Sequence, residues 1–158
     1  MNDFKRILIL HNIRSAYNVG AIFRTADAVG ISKIYLCGYT PDPLDRFGRE
    51  RSDIAKSALG AEKNVKWEHE DNLLKLMEKL KKSGVELVAI EQSEDSLDYK
   101  KYKAKKHTAF LLGNEVEGIP KDKLEKCDVV LEVPMKGRKE SLNVSVCCGV
   151  VLFRVLEV

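Results

Sequence analysis

The chain has 158 residues, with 27 Lys plus Arg against 24 Asp plus Glu, a formal charge of +3, and it is 44% hydrophobic and 32% charged. A single domain is the default at this length, and such a domain buries roughly 70% of the surface of its unfolded chain. The composition excludes a disordered tail, a collagen-like fibre and a disulfide-stapled mini-protein. The small positive charge permits nucleic-acid binding without arguing for it, because a solvated surface of mixed charge has the same balance.

Cys37, Cys127, Cys147 and Cys148 form no Cys-x-x-Cys pair. They read as buried free thiols in a reducing compartment. His11, His69 and His107 are dispersed without ligand spacing, so no metal is expected. No window approaches ~18 uninterrupted apolar residues and the N-terminus lacks a signal-peptide pattern, so no membrane partner is expected and the location should be cytoplasmic.

In chain order, Arg6–Leu10 reads as a buried strand, the segment 18–29 as a helix with Val19, Ile22, Phe23 and Ala26 on one side, and 32–37 as a second strand. The segment 38–51 holds Pro41, Pro43, Gly38 and Gly48 and reads as a long functional loop. A weaker strand follows at 65–68. A helix at 71–82 then carries Leu73, Leu74, Met77 and Leu80, with Ser83-Gly84 as its stop. Strands at 86–91, 108–112 and 129–133 complete the pattern. Strand–helix alternation predicts an α/β domain with a mainly parallel sheet flanked by helices. The tail 141–158 reads as a helix, apolar on nearly every side. Such a helix must be covered all round, which argues for a homodimer.

Three polar, glycine-bearing clusters each follow a predicted strand. The first, His11 to Gly20, runs into Arg24-Thr25-Ala26-Asp27. Asn18 can cap the helix there, and Arg24 can be a surface arginine laying its stem on an apolar helix. The second is Gly113-Asn114-Glu115-Val116-Glu117-Gly118, at the end of a strand where parallel sheets bind ligands. Its glycines suit close backbone approach to a ligand or positive φ. In the third, Val133-Pro134-Met135 leads through a basic glycine loop to Ser141-Leu142-Asn143-Val144-Ser145, where Ser141 can cap the last helix.

Taken together, these three ordered clusters resemble the motifs of the SpoU (TrmH-like) class of the SPOUT methyltransferase superfamily, and the resemblance covers essentially the whole chain. It implies an α/β fold whose C-terminal segment threads a deep trefoil knot. It also implies methyl transfer from S-adenosylmethionine to a ribose 2′-hydroxyl of tRNA or rRNA, by a homodimer with active sites at the subunit interface. Composition and periodicity could not have shown the knot. The resemblance puts Arg24 at the reacting hydroxyl, either as a proton acceptor in an unusual environment or as a cation stabilising the alkoxide. It puts Asn18 beside Arg24 and the RNA phosphate, Glu115 as an acid orienting Arg24 or bordering the cofactor, and Asn143 near the reacting centre. The cofactor pocket would be lined by Gly113, Val133 and Leu142, with Glu91, Met135 and Ser141.

RNA requires positive surface. Arg46, Arg49 and Arg51 of the long loop, Lys136 and Arg138 (with Lys139) beside the third motif, and Arg14 in the first are the candidates. Lys100, Lys101, Lys103, Lys105 and Lys106 are equally readable as a solvated loop or an RNA contact. Many relatives carry an N-terminal RNA-binding domain, whereas residues 1–158 read as the catalytic domain alone. Two rivals are a non-catalytic RNA-binding dimer on the same scaffold and methylation of a different RNA atom.

Overall fold

A computed structural model describes residues 3–158. Seven parallel strands form one sheet in the order β3-β2-β1-β6-β4-β7-β5. The elements are β1 (Arg6–His11), α1 (Ala16–Val29), β2 (Lys33–Cys37), α2 (Ser52–Ala58), α3 (Ala61–Asn64), β3 (Trp67–Glu70), α4 (Leu73–Lys82), β4 (Glu86–Ile90), β5 (Leu97–Asp98), a 3-10 turn (Tyr99–Lys101), β6 (Thr108–Leu112), α5 (Lys121–Leu124), β7 (Val129–Glu132) and α6 (Val144–Val155).

The short Val, Ile and Leu runs are strands covered on both faces, as parallel sheets require. Alternate side chains of each central strand enter different cores. Leu8 and Leu10, Val88 and Ile90, and Phe110 and Leu112 pack with α1, α2 and α6. Ile7 and Ile9, Leu87 and Ala89, and Ala109 and Leu111 pack with α4 and the neighbourhood of α5. The register sets Leu8 opposite both Ile34 and Phe110, so the three middle strands end at one level. The loops after β1, β4, β6 and β7 therefore share one edge.

The weak strand begins two residues later than its sequence suggests, at Trp67 rather than Val65. Val65 instead closes α3 and is buried under it. The segment 38–51 is a loop as expected, but α2 and α3 follow it and were not foreseen. Neither short segment has enough turns to show a 3.6-residue period. The C-terminal helix starts at Val144, three residues after the expected Ser141, and its cap is Asn143. On α1 the cap is Ser15, whose hydroxyl accepts from the Asn18 amide, while Asn18 lies inside the helix and is buried. Both serine- and asparagine-bearing stretches offered several capping residues, and the backbone chose the one its strand geometry allowed.

β7 lies between β4 and β5, both of which precede it in the chain. Continuing past β7, α6 meets the turn that follows β5: the Ala104 amide donates to the Val155 carbonyl at 3.0 Å, and the Arg154 guanidinium to the Lys100 carbonyl at 3.3 Å. The last segment is thus inserted among elements laid down earlier, as a threaded chain must be. On α6, Cys148, Val151, Leu152 and Val155 are buried, whereas Val146 (52% exposed), Val150 and Phe153 (44%) face outward. The chain alone does not cover this helix.

Candidate active site

The three clusters meet at the carboxyl edge of the sheet around a cavity of about 580 Å³. Its walls come from the ends of β4, β6 and β7, the start of α6, and Asn18 of α1. Parallel sheets leave such crevices because successive loops diverge at the strand ends.

Glu115 ties the first two clusters together. Its carboxylate accepts from the amides of Arg14 (3.0 Å) and Ser15 (3.1 Å) and from Asn18 Nδ2 (3.1 Å). Burial alone would raise its pKa; those hydrogen bonds outweigh burial and hold the carboxyl below its ordinary value. Asn18 Oδ1 in turn accepts from Asn143 Nδ2 at 3.1 Å, and Asn143 Oδ1 accepts from the Ser145 amide (2.9 Å) and hydroxyl (2.6 Å) and from the Val146 amide (3.3 Å). One chain of hydrogen bonds therefore runs from the β1–α1 loop through all three clusters to the amides that open α6. A helix N-terminus has free donors, and here a side chain that borders the cavity occupies them.

Asn114, to which the sequence pattern assigns no role, is part of the cavity wall and braces it. Its Nδ2 donates to the Asn12 carbonyl (2.9 Å) and Tyr39 Oη (2.8 Å), and its Oδ1 accepts from the amides of Val116 and Glu117 (both 2.8 Å). Its signal was the Asn-x-x pattern of an Asx turn. Glu91 holds the far side, accepting from the Ile119 amide at 3.0 Å and the Gln92 amide at 2.9 Å. Gly118 has the positive φ expected of it, and both glycines border the cavity. A Cβ on Gly113 would lie 2.7 Å from the Gly118 carbonyl carbon and 2.8 Å from the Ile119 amide nitrogen, and one on Gly118 would lie 2.5 Å from Glu91. These glycines let the loop fold upon itself and on Glu91, with Gly118 at φ 70°. Gln92 Nε2 donates to the Glu140 carbonyl at 2.6 Å, fastening the basic loop across the cavity mouth. Cys147 also borders the cavity, but burial pushes its thiol up to about 11, which leaves it a protonated wall rather than a nucleophile.

Gly113, Val133, Leu142, Ser141, Met135 and Glu91 all line this cavity, together with Asn18, Glu115 and Asn143. Arg24 does not. It stands exposed on α1, next to Thr25, which faces Gly149 of α6. Glu115 makes no hydrogen bond to Arg24 among the described residues; it borders the cavity and holds Arg14, Ser15 and Asn18.

The basic candidates separate by their partners. Arg14, Lys136 and Arg138 are exposed at the rim of the same edge. Arg51 is taken up by Asp53 at 2.6 and 3.1 Å, whereas Arg49 gives only its Nε to Asp45 at 2.9 Å, and Arg46 forms no ion pair among the described residues. In the lysine-rich segment Lys103 pairs with Glu157 (2.5 Å), Lys106 with Glu86 (3.2 Å) and Lys100 with Asp98 (3.6 Å). With the Ala104 amide bonded to the Val155 carbonyl and the Arg154 guanidinium bonded to the Lys100 carbonyl, that segment clasps the end of α6. Among the described residues no cluster of three or more His, Cys, Asp or Glu could hold a metal ion, and no helix is long and apolar enough to cross a membrane.

An open parallel sheet, a late-inserted C-terminal segment and a cavity walled by three linked loops define an α/β domain of the knotted SPOUT type. The model of the SpoU rRNA Methylase family matches residues 5–153, and the chain belongs to that family. It is 33% identical over 146 residues to the 23S rRNA (guanosine-2'-O-)-methyltransferase RlmB of Neisseria meningitidis, a match covering 92% of this chain and 56% of that protein. Among solved structures it is similar to the AdoMet-bound rRNA methyltransferase from Sinorhizobium meliloti, with TM-score 0.85 and 28% identity, covering 96% of this chain and 55% of that one. The TrmH/SpoU tRNA modifying enzyme of A. aeolicus gives TM-score 0.83 and 28% identity, covering 96% and 73%. The chain thus spans little more than half the length of the curated relatives it matches.

Proposed function

We propose that this protein methylates a ribose 2′-hydroxyl of tRNA or rRNA with S-adenosylmethionine, working as a homodimer. The observation that carries the reading is the convergence of three motif segments on one cavity, linked through Glu115, Asn18 and Asn143.

The cavity suits the cofactor. At about 580 Å³ it falls within the roughly 300–1,000 Å³ of small-molecule sites. Leu112, Leu131, Val133, Met135 and Leu142 offer apolar walls for an adenosine, while Glu91, Glu117, Glu132 and Glu140 offer carboxylates toward a cationic ligand. Gly113, Val133, Met135, Ser141, Leu142 and Glu91 would hold it. S-adenosylmethionine supplies an electrophilic methyl group on a sulfonium.

The chain's own residues would supply position and charge. Asn143 and Asn18 hold the polar rim where a ribose approaches, and Glu115 fixes Asn18 in the rotamer that meets Asn143. A guanidinium is a permanent cation, so the task that suits Arg24 is stabilising the alkoxide as the hydroxyl attacks. Arg24 lies off its own chain's cavity, on the helix that packs beside α6, whose Val146, Val150 and Phe153 are exposed. A second copy laid on α1 and α6 would cover those side chains and carry Arg24 toward the partner's cavity. Arg14, Arg46, Arg49, Lys136 and Arg138 would neutralise phosphates around the entrance.

The test is calorimetric titration with S-adenosylmethionine, followed by incubation with labelled cofactor and total RNA and mapping of the modified nucleotide. The expected result is cofactor binding and one 2′-O-methylated site. Arg24→Ala should lower transfer by about 10²-fold or more with cofactor affinity unchanged. RNA binding without cofactor binding would replace this reading with a non-catalytic RNA-binding dimer.

A further inference from the structure

The tip of the loop between β2 and α2 is a small, stiff structure with an unusual surface. Leu44 and Glu50 form an antiparallel bridge, the Asp45 amide donates to the Arg49 carbonyl at 2.8 Å, and the Gly48 amide donates back to the Asp45 carbonyl at 3.0 Å. Asp45 Oδ1 accepts from the amides of Phe47 (2.8 Å) and Arg49 (3.0 Å), while Oδ2 takes the Arg49 Nε at 2.9 Å. Gly48 turns the chain at φ 77°. All these bonds hold outward a phenyl ring that joins no core: Phe47 is 65% exposed. The guanidinium carbons of Arg46 and Arg49 stand 4.8 and 4.9 Å from its centroid.

The root of the loop is fastened to the candidate active site. The Thr40 hydroxyl donates toward the Leu10 and Cys37 carbonyls at 2.9 and 2.8 Å and accepts from the Ile13 amide at 3.1 Å. The Tyr39 amide donates to Asn12 Oδ1 at 3.1 Å, and its hydroxyl accepts from Asn114 at 2.8 Å. The tip is therefore an arm rooted in the β1–α1 loop and in the β6–α5 loop, which borders the cavity.

We propose that this arm grips a single-stranded part of the RNA, with Phe47 stacking on an unpaired base and Arg46 and Arg49 holding the adjoining phosphates. This rests on the RNA-methyltransferase reading and names the part of the substrate that the arm selects. An exposed ring with two guanidinium groups over it, free to pass to phosphates as a base takes a ring face, is complementary to a ligand that alternates flat apolar faces with negative charge, which describes a nucleic-acid strand. A base within a duplex has both faces covered by its neighbours, so only an unstacked base can take the ring. An apolar protein partner would gain nothing from the two charges, and an acidic one would gain little from the ring.

The experiment measures affinity of the full chain for a short single-stranded oligoribonucleotide and for a duplex of the same length, across a salt series. Cofactor affinity is followed alongside. Phe47→Ala should weaken single-strand binding by roughly tenfold and leave duplex binding unchanged, and Phe47→Trp should restore it. Arg46→Gln with Arg49→Gln should weaken both and flatten the salt slope by about 1.4 for the single strand and about 1.8 for the duplex. Phe47 is exposed, so these variants keep the fold, and unchanged cofactor affinity verifies it. Phe47→Ala weakening both RNAs equally, or neither, overturns the inference while the methyltransferase reading stands. A parent protein that binds cofactor but neither RNA overturns the arm together with the RNA part of that reading.

Discussion

Glu115 accepts three hydrogen bonds from outside its own turn. Glutamine would turn one acceptor into a donor facing either the Arg14 amide or the Ser15 amide and Asn18 Nδ2. Glu115→Gln should cost about 1–3 kcal/mol of stability, measured by urea unfolding. Activity should fall further than cofactor affinity, because Asn18 loses its orientation. The carboxyl is held below its ordinary value, so its stabilisation is present above the unfolded pKa and is lost as pH falls through the folded one. Two histidines respond in opposite directions. At His69 burial disfavours the charge, but Asp42 (2.6 Å) and Asp71 (3.1 Å) outweigh it and raise the pKa. Its contribution is complete below about pH 6.5 and is lost as pH rises through the folded value. Burial, with Lys123, lowers the pKa of His11, so its contribution is present above the unfolded pKa and is lost as pH falls. The stability advantage of the parent over His69→Gln should therefore shrink from mildly acid to mildly alkaline pH; an advantage that grows would contradict the assignment.

At the scale of elements, the helices owe more to close approach than to propensity. Gly20 lies within α1 where α2 crosses it, and a Cβ there would run into the Ser57 hydroxyl and the Ile54 carbonyl. Replacing a helical glycine by alanine gains about 1 kcal/mol in propensity. Overpacking against backbone costs about 1–3 kcal/mol, and backbone cannot move aside as a flexible side chain can. Gly20→Ala should therefore be a net loss in thermal or urea unfolding. This contact shows what the sequence made legible and what it did not. The long runs of β1, β4 and β6 and the Leu73–Met77–Leu80 stripe of α4 declared their elements through periodicity. The partner of Gly20 did not, because α2 and α3 are too short to show a period and their packing is a tertiary fact. The cavity lining was legible through motif resemblance, since all six expected residues border it. The bonds among Glu115, Asn18 and Asn143 were not, because they join residues about a hundred positions apart.

For the whole molecule, α6 poses the question of its own cover. Val146, Val150 and Phe153 present an apolar strip on the helix that also walls the cavity. A second copy would bury that strip and bring Arg24 to a cavity. Val146→Glu with Phe153→Glu should give a monomer by sedimentation, still folded and still binding cofactor, yet unable to transfer methyl groups. An active monomer would remove both the dimer and the placement of Arg24 across it. Sequence foresaw an apolar tail in need of cover, but could not say which side the chain itself supplies; Cys148, Val151, Leu152 and Val155 answer that.

The late insertion of β7 between β4 and β5 also makes the cavity an indicator of completed assembly. Half its wall, from Leu131 to Cys147, arrives with the last stretch of chain. Until that stretch is home a ligand meets only the half of the site built from Asn18 and the ends of β4 and β6. A molecule that binds the completed cavity would stabilise the finished topology by mass action. A ligand of this cavity would therefore raise the stability and the yield of the assembled fold through the same walls.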